Sequence, residues 1–202
     1  MNLDRLPRPT LRAWLGPLVL AALMVALQAL GADALATLRY ERVAVLEGQA
    51  WRLVTGHLVH ADLAHLGWNL AGLALVAWLF GADFGRRAWL GILAASTAAV
   101  DLGFLVLEPQ LAWYVGFSGV LHGLMAAGLL RWLVWQRDAV TAIVAAAFAA
   151  KIAWEQVVGP LPFTAQTLAV PVVFEAHTYG AIGGLLAAAA LCIGQRPEAA
   201  SL

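Results

Sequence analysis

Long apolar runs alternate with short polar breaks along this chain, and the runs have the length of membrane crossings. Six stand out, at about 12–30, 64–82, 87–107, 117–136, 139–158 and 175–194. Crossing a hydrocarbon layer takes about 20 apolar residues at a helical rise of 1.5 Å each. Only a helix satisfies its backbone polar groups within one such segment. The pattern therefore predicts an all-α polytopic membrane protein, with residues 1–202 forming one six-helix transmembrane domain. The longest break, about 31–63, separates the first two runs. Pro160, Pro162 and Pro171 predict an irregular connection over about 159–174.

Composition agrees with that class. The chain is 62% hydrophobic and 12% charged, where a soluble domain averages about 25% charged. The formal net charge is zero and there is no basic tract, so no nucleic-acid partner is expected. A single cysteine, Cys192, excludes an intrachain disulfide. At the N-terminus, Arg5, Arg8 and Arg12 precede an apolar run and then Ala34-Leu35-Ala36, the layout of a cleaved signal peptide. The apolar core from Trp14 to Leu30 exceeds the usual 7–15 residues of a signal core, so a retained helix is expected. Arg5, Arg8, Arg12, Arg86, Arg87, Arg131, Arg137 and Arg196 fall on one side of the predicted bundle, with Arg39, Arg42 and Arg52 opposite. Positively charged loops stay in the cytoplasm. Both termini are then cytoplasmic, and the first loop and the starts of the fourth and sixth runs face outward.

Two stretches at those outward starts carry chemistry. One is Gly116-Phe117-Ser118-Gly119-Val120-Leu121-His122-Gly123; the other is Ala176-His177-Thr178-Tyr179-Gly180-Ala181-Ile182-Gly183-Gly184. Ionisable groups in an apolar span are costly and default to a functional reading. Gly119 and Gly123 on one helix, and Gly180 and Gly184 on the other, form small-residue faces at i, i+4. Such faces let membrane helices approach closely, which would bring Ser118 to His177. A serine is a weak nucleophile until an adjacent base takes its proton, and histidine is the usual base. Ser118 also begins a helix, where free N–H groups favour developing negative charge. No acidic third member is evident, since Glu175 is near His177 only in sequence. The reading is a Ser118–His177 dyad.

A further polar cluster runs from Gly56 to Asn69. His65 and Asn69 share a helix face, and Asp62 is placed to cap that helix. The two side chains suit hydrogen-bond donation to an oxyanion; the alternative is that they tie the second helix to its neighbours. His57, His60 and His65 allow a metal reading, but there is no H-E-x-x-H and no clear carboxylate ligand. No metal and no cofactor are expected.

On these residues the chain resembles the rhomboid family of intramembrane serine proteases. The resemblance rests on Trp51-Arg52, the His60…His65…Asn69 pattern, Gly116-Phe117-Ser118-Gly119, and Ala176-His177…Gly180…Gly184. It implies a rhomboid-like bundle with Ser118 as nucleophile, His177 as general base, and His65 and Asn69 as oxyanion side chains. It also implies that His60 braces the first loop and Gly116 sits in a strained turn. His122 stands where the family often has an aromatic packed on the catalytic histidine. It could stack there likewise or compete as a base. The run Ser118 to Gly123, the small size and Trp154-Glu155-Gln156 look most like the rhombosortase subfamily. That implies removal of a C-terminal tail, a Gly-Gly motif followed by a hydrophobic helix and basic residues, from exported bacterial proteins. The implied partners are such a membrane-anchored substrate and the lipid bilayer. The implied location is the bacterial inner membrane, with the active site towards the outer face.

Lys151 and Glu155, at i, i+4 on the fifth run, are expected to form a mutual ion pair. Asp101 in the third is expected to join them or to line a wet cavity. Two other readings stand beside the protease: a silent rhomboid-like protein that binds clients, and a transporter or channel using histidines for metal.

Overall fold

The computed structural model describes residues 11–168 and 170–194. Arg5, Arg8 and Arg196, and the side chains of Arg12 and Cys192, lie outside the described residues. The chain begins with α1 (Leu11–Ala29) and α2 (Gly31–Leu38), which meet at 116°. The bend falls at Leu30, just before Gly31, whose φ of +80° suits glycine. The first loop then holds β1 (Tyr40–Glu41), α3 (Arg42–Leu46) and α4 (Arg52–Thr55). Next come α5 (Leu63–Phe80), α6 (Arg86–Val106), β2 (Trp113–Tyr114), α7 (Ser118–Trp135), α8 (Ala139–Val158), α9 (Pro162–Thr167) and α10 (Glu175–Gly194).

The six long helices lie within two residues of the apolar runs at either end. Polar caps explain several of those ends. The Asp62 carboxylate accepts the His65 N–H at 2.7 Å and starts α5. Asp138 accepts the Thr141 N–H at 2.9 Å and starts α8. Each satisfies a donor that has no partner inside its own helix. By length and apolarity α5, α6 and α8 are able to cross a membrane, and the bent α1–α2 pair would add a fourth crossing.

Loop structure departs from the sequence expectation. The break at 31–63 contains three short helices and a strand that pairs antiparallel with β2, Tyr40 opposite Tyr114 and Glu41 opposite Trp113. Hydropathy is blind to this pairing because the partners are more than seventy positions apart. Two arginines seat the loop. Arg42 donates to the carbonyls of Phe104 at 2.8 Å and Leu105 at 3.1 Å, which end α6 and lack helical partners. Arg52 is buried; it donates to the carbonyls of Ala36 at 3.0 Å and Arg39 at 2.8 Å and to Gln49 Oε1 at 2.8 Å. The connection at 159–174 also has local order: Pro162 opens α9, where its missing N–H costs nothing.

Packing is tightest where α7, α10 and α6 meet. A Cβ on Gly180 would land on the carbonyl oxygen of Gly119, and one on Gly184 on that of Gly123. A Cβ on Gly123 would strike Ser96 of α6, and one on Gly183 the Ala95 carbonyl oxygen at 2.5 Å. The helices touch backbone to backbone because these positions have no side chain. Below this contact the core continues through Leu73, Phe80, Ile92, Val120, Leu124, Leu129 and Trp132.

Candidate active site

The glycine contact fixes the position of the two groups beside it. Ser118 is the first residue of α7, adjacent to Gly119; His177 lies in the first turn of α10, one turn before Gly180. His177 Nε2 is 3.0 Å from Ser118 Oγ. The other ring nitrogen, Nδ1, is 2.9 Å from Glu155 Oε2 of α8. A carboxylate only accepts hydrogen bonds, so when Nδ1 donates to Glu155, Nε2 is free to accept from the serine O–H. The two-residue constellation expected from the sequence thus gains a carboxylate. The i, i+4 spacing pairs Glu155 with Lys151 alone, and nothing along the chain points it at His177, 22 positions away. The one signal is the cost of leaving a glutamate, only 2% exposed, inside a helical bundle.

Lys151 and His122 complete the cluster. Lys151 Nζ is 2.6 Å from Glu155 Oε2, the expected i, i+4 pair, and it also lies 2.5 Å from His122 Nε2 and 3.2 Å from His177 Nδ1. His122 stacks on His177, centroids 4.0 Å apart and planes 15° apart. Its Nδ1 is 2.7 Å from the Ser118 carbonyl oxygen and must donate to it. Of the two expectations for His122, stacking is the one present: both its nitrogens are engaged elsewhere, and His177 meets Ser118 Oγ.

Gly116 precedes the serine with φ +115°, a conformation that favours glycine. Its N–H donates to the Gly56 carbonyl at 3.0 Å, and its carbonyl accepts the Tyr114 hydroxyl at 2.7 Å. Burial raises the pKa of the Tyr114 phenol, which stays protonated and able to donate. A Cβ on Gly116 would meet His65 Nε2 at 2.5 Å, so the turn is wrapped around that ring. Asn69 Nδ2 donates to the His65 carbonyl at 3.0 Å, which leaves its second amide hydrogen available. His60 is fully buried, edge-on to His65 with centroids 5.1 Å apart. Burial, and then the neighbouring His65, push the His60 pKa down to about 3.

Ser118, His177, His65, Asn69, His122, Lys151 and Glu155 all line one cavity of about 680 Å³. Its remaining walls are mainly apolar side chains of α5 and α7 and of the segment leading to α10, including Leu75, Met125, Leu161 and Val173. Asp101 is elsewhere, which corrects the expectation for it. Its carboxylate pairs with His57 Nε2 at 3.2 Å and ties the first loop to α6. Among the described residues, the His, Cys, Asp and Glu side chains near enough to share a metal ion are His122, Glu155 and His177, with ligand atoms within 4.8 Å of one another. Lys151 Nζ already contacts all three.

The fold and cavity define a multi-pass helical membrane protein with a hydroxyl facing an imidazole. The chain belongs to the rhomboid family: a match described as Rhomboid domain covers residues 47–194. It is also similar to "Putative rhomboid protease YdcA" of Bacillus subtilis (strain 168), 34% identical over 85 residues. That match takes in 42% of this chain and 43% of the relative.

Proposed function

We propose that this protein is an intramembrane serine endopeptidase. The observation that carries the reading is the 3.0 Å approach of Ser118 Oγ to His177 Nε2 inside a largely apolar cavity. In the reaction, Ser118 Oγ attacks the scissile carbonyl carbon while its proton passes to His177 Nε2. The tetrahedral oxyanion takes hydrogen bonds from the Ser118 N–H, His65 and the free Asn69 amide hydrogen. His177 then gives the proton to the departing amine, and the C–N bond breaks. A water, deprotonated by His177, hydrolyses the acyl-enzyme and returns the proton to Ser118. Each proton taken is given back, so the cycle closes with no cofactor.

The six long helices are then all membrane spans, with both termini cytoplasmic and the cavity near the outer face of a bacterial cytoplasmic membrane. Substrates are membrane-anchored proteins. The rhombosortase-like run at 118–123 favours a client with a C-terminal Gly-Gly motif, hydrophobic helix and basic tail. Purified protein in liposomes with such a client tests the reading. Ser118→Ala and His177→Ala each abolish cleavage while the fold persists, and chelators have no effect. Cleavage by Ser118→Ala rejects the proposal, and loss of cleavage with a chelator favours metal chemistry instead.

A further inference from the structure

Three side chains surround one ammonium beside the Ser118–His177 pair. Lys151 Nζ contacts His122 Nε2, Glu155 Oε2 and His177 Nδ1, the same residues whose atoms are close enough to share a metal ion. A lysine carries the positive charge that a metal would otherwise bring. These contacts cannot all be hydrogen bonds at once, however. Glu155 Oε2 lies 2.9 Å from His177 Nδ1, and that nitrogen either donates to the carboxylate or accepts from the ammonium.

The two choices have opposite consequences. Donation to Glu155 leaves Nε2 bare and ready for the Ser118 proton. Acceptance from Lys151 moves the ring proton to Nε2, which can then no longer take the serine proton. Distance separates them: His177 Nδ1 is 2.9 Å from Glu155 Oε2 and 3.2 Å from Lys151 Nζ. The His122 Nδ1–H is committed to the Ser118 carbonyl, so its Nε2 is bare and offers Lys151 another acceptor. Lys151 meets His122 and Glu155 at 2.5 and 2.6 Å, closer than its 3.2 Å contact to His177. A buried carboxylate needs such a partner, because an uncompensated charge in the bundle interior is costly.

We propose that Glu155 is a positioning residue that holds His177 in the Nδ1–H tautomer, and that Lys151, bound more closely to His122 and Glu155 than to His177, keeps that carboxylate aimed at the ring. The site then works as a serine, histidine and carboxylate series, with the carboxylate supplied by α8 and braced from the same helix. This rests on the protease reading above, and it assigns Lys151 and Glu155 a task that a surface-type ion pair does not have.

The test uses the full chain in detergent micelles or liposomes with a model transmembrane substrate, and in parallel a fluorophosphonate that labels the active serine. Glu155→Gln keeps the size and an acceptor oxygen but removes the charge. It is expected to lower kcat and the labelling rate roughly a hundred- to ten-thousandfold with KM changed less than about threefold, as expected when the base is left in the wrong tautomer. Lys151→Met is expected to lower kcat less, and the double variant to be no slower than Glu155→Gln alone, because both act through one carboxylate. Nitrogen-15 NMR of the histidines, with His177 assigned by its loss in His177→Ala, reads the tautomer directly in the unaltered protein. Protonated Nδ1 and bare Nε2 are expected. A proton on Nε2, a Glu155→Gln rate within twofold of the unaltered protein, or additive losses in the double variant would each overturn the inference, even if the variants fold poorly. If Ser118 is not labelled at all in the unaltered protein, the protease reading itself fails, and that result is separate.

Discussion

Replacing Gly180 by alanine probes the central contact of the bundle with one methyl group. The added carbon would land on the Gly119 carbonyl oxygen, and backbone cannot rotate out of the way as a side chain can. Helices α7 and α10 must therefore part by roughly 1 Å or more to restore ordinary contact. His177 is one turn from Gly180 and Ser118 is next to Gly119, so that displacement is expected to lengthen the 3.0 Å Ser118–His177 distance. Misplacement of a reacting group by about 1 Å costs roughly a hundredfold in rate, which corresponds to about 2.7 kcal/mol in the barrier. Overpacking would also lower stability by about 1–3 kcal/mol. Gly91 supplies the control. It lies in α6, and a Cβ added there would meet nothing within 4 Å, so Gly91→Ala is expected to leave the rate unchanged and to stabilise its helix by about 0.5–1 kcal/mol. Initial cleavage rates in liposomes, with thermal unfolding followed by tryptophan fluorescence, measure both quantities. Equal rates for Gly180→Ala and Gly91→Ala would refute the idea that this backbone contact sets the distance between Ser118 and His177.

Two further outcomes concern the first loop. Arg52→Ala removes the donor from three part-buried bonds, to the carbonyls of Ala36 and Arg39 and the Gln49 amide oxygen; unfolding should become easier by about 1–3 kcal/mol, and Arg52→Lys should recover only part because it lacks the planar fork. Limited proteolysis of the loop checks this, and unchanged resistance in Arg52→Ala would contradict it. His60 makes folding sensitive to acid. Its pKa is about 3 in the folded protein, against 6.5 as a free side chain, so the unfolded chain binds more protons between those values. Stability is therefore full above pH 6.5 and is lost as pH falls towards 3, with a ceiling of about 4–5 kcal/mol from this group. Comparing thermal midpoints at pH 7 and pH 4 isolates it: His60→Leu should lose less on acidification than the unaltered protein, and an equal loss would refute the assignment.

Much of the architecture was legible from local pattern. Hydropathy placed each long helix, because an apolar run of about twenty residues has few other stable arrangements. Asp62 announced the start of α5 as a cap, and the glycines at 119, 123, 180 and 184 announced which two helices would touch. From that contact, Ser118 and His177 followed as neighbours. Other features were invisible along the chain. The pairing of Tyr40 with Tyr114, the 116° bend after Ala29 and the seat of Arg42 on the end of α6 all join segments whose local sequence carries no trace of the partner.

The sequence alone determined which stretches form the six long helices and that a hydroxyl and an imidazole sit at the starts of two of them, since both follow from hydrophobic length and residue identity. Only the tertiary structure decided where Glu155, Lys151 and His122 point, and that Asp101 serves His57 instead of their cluster. Those outcomes depend on how far each helix is rotated about its axis. Rotation is set by the summed contacts of the whole bundle, chiefly the glycine seam between α7 and α10, and no single stretch of chain encodes it.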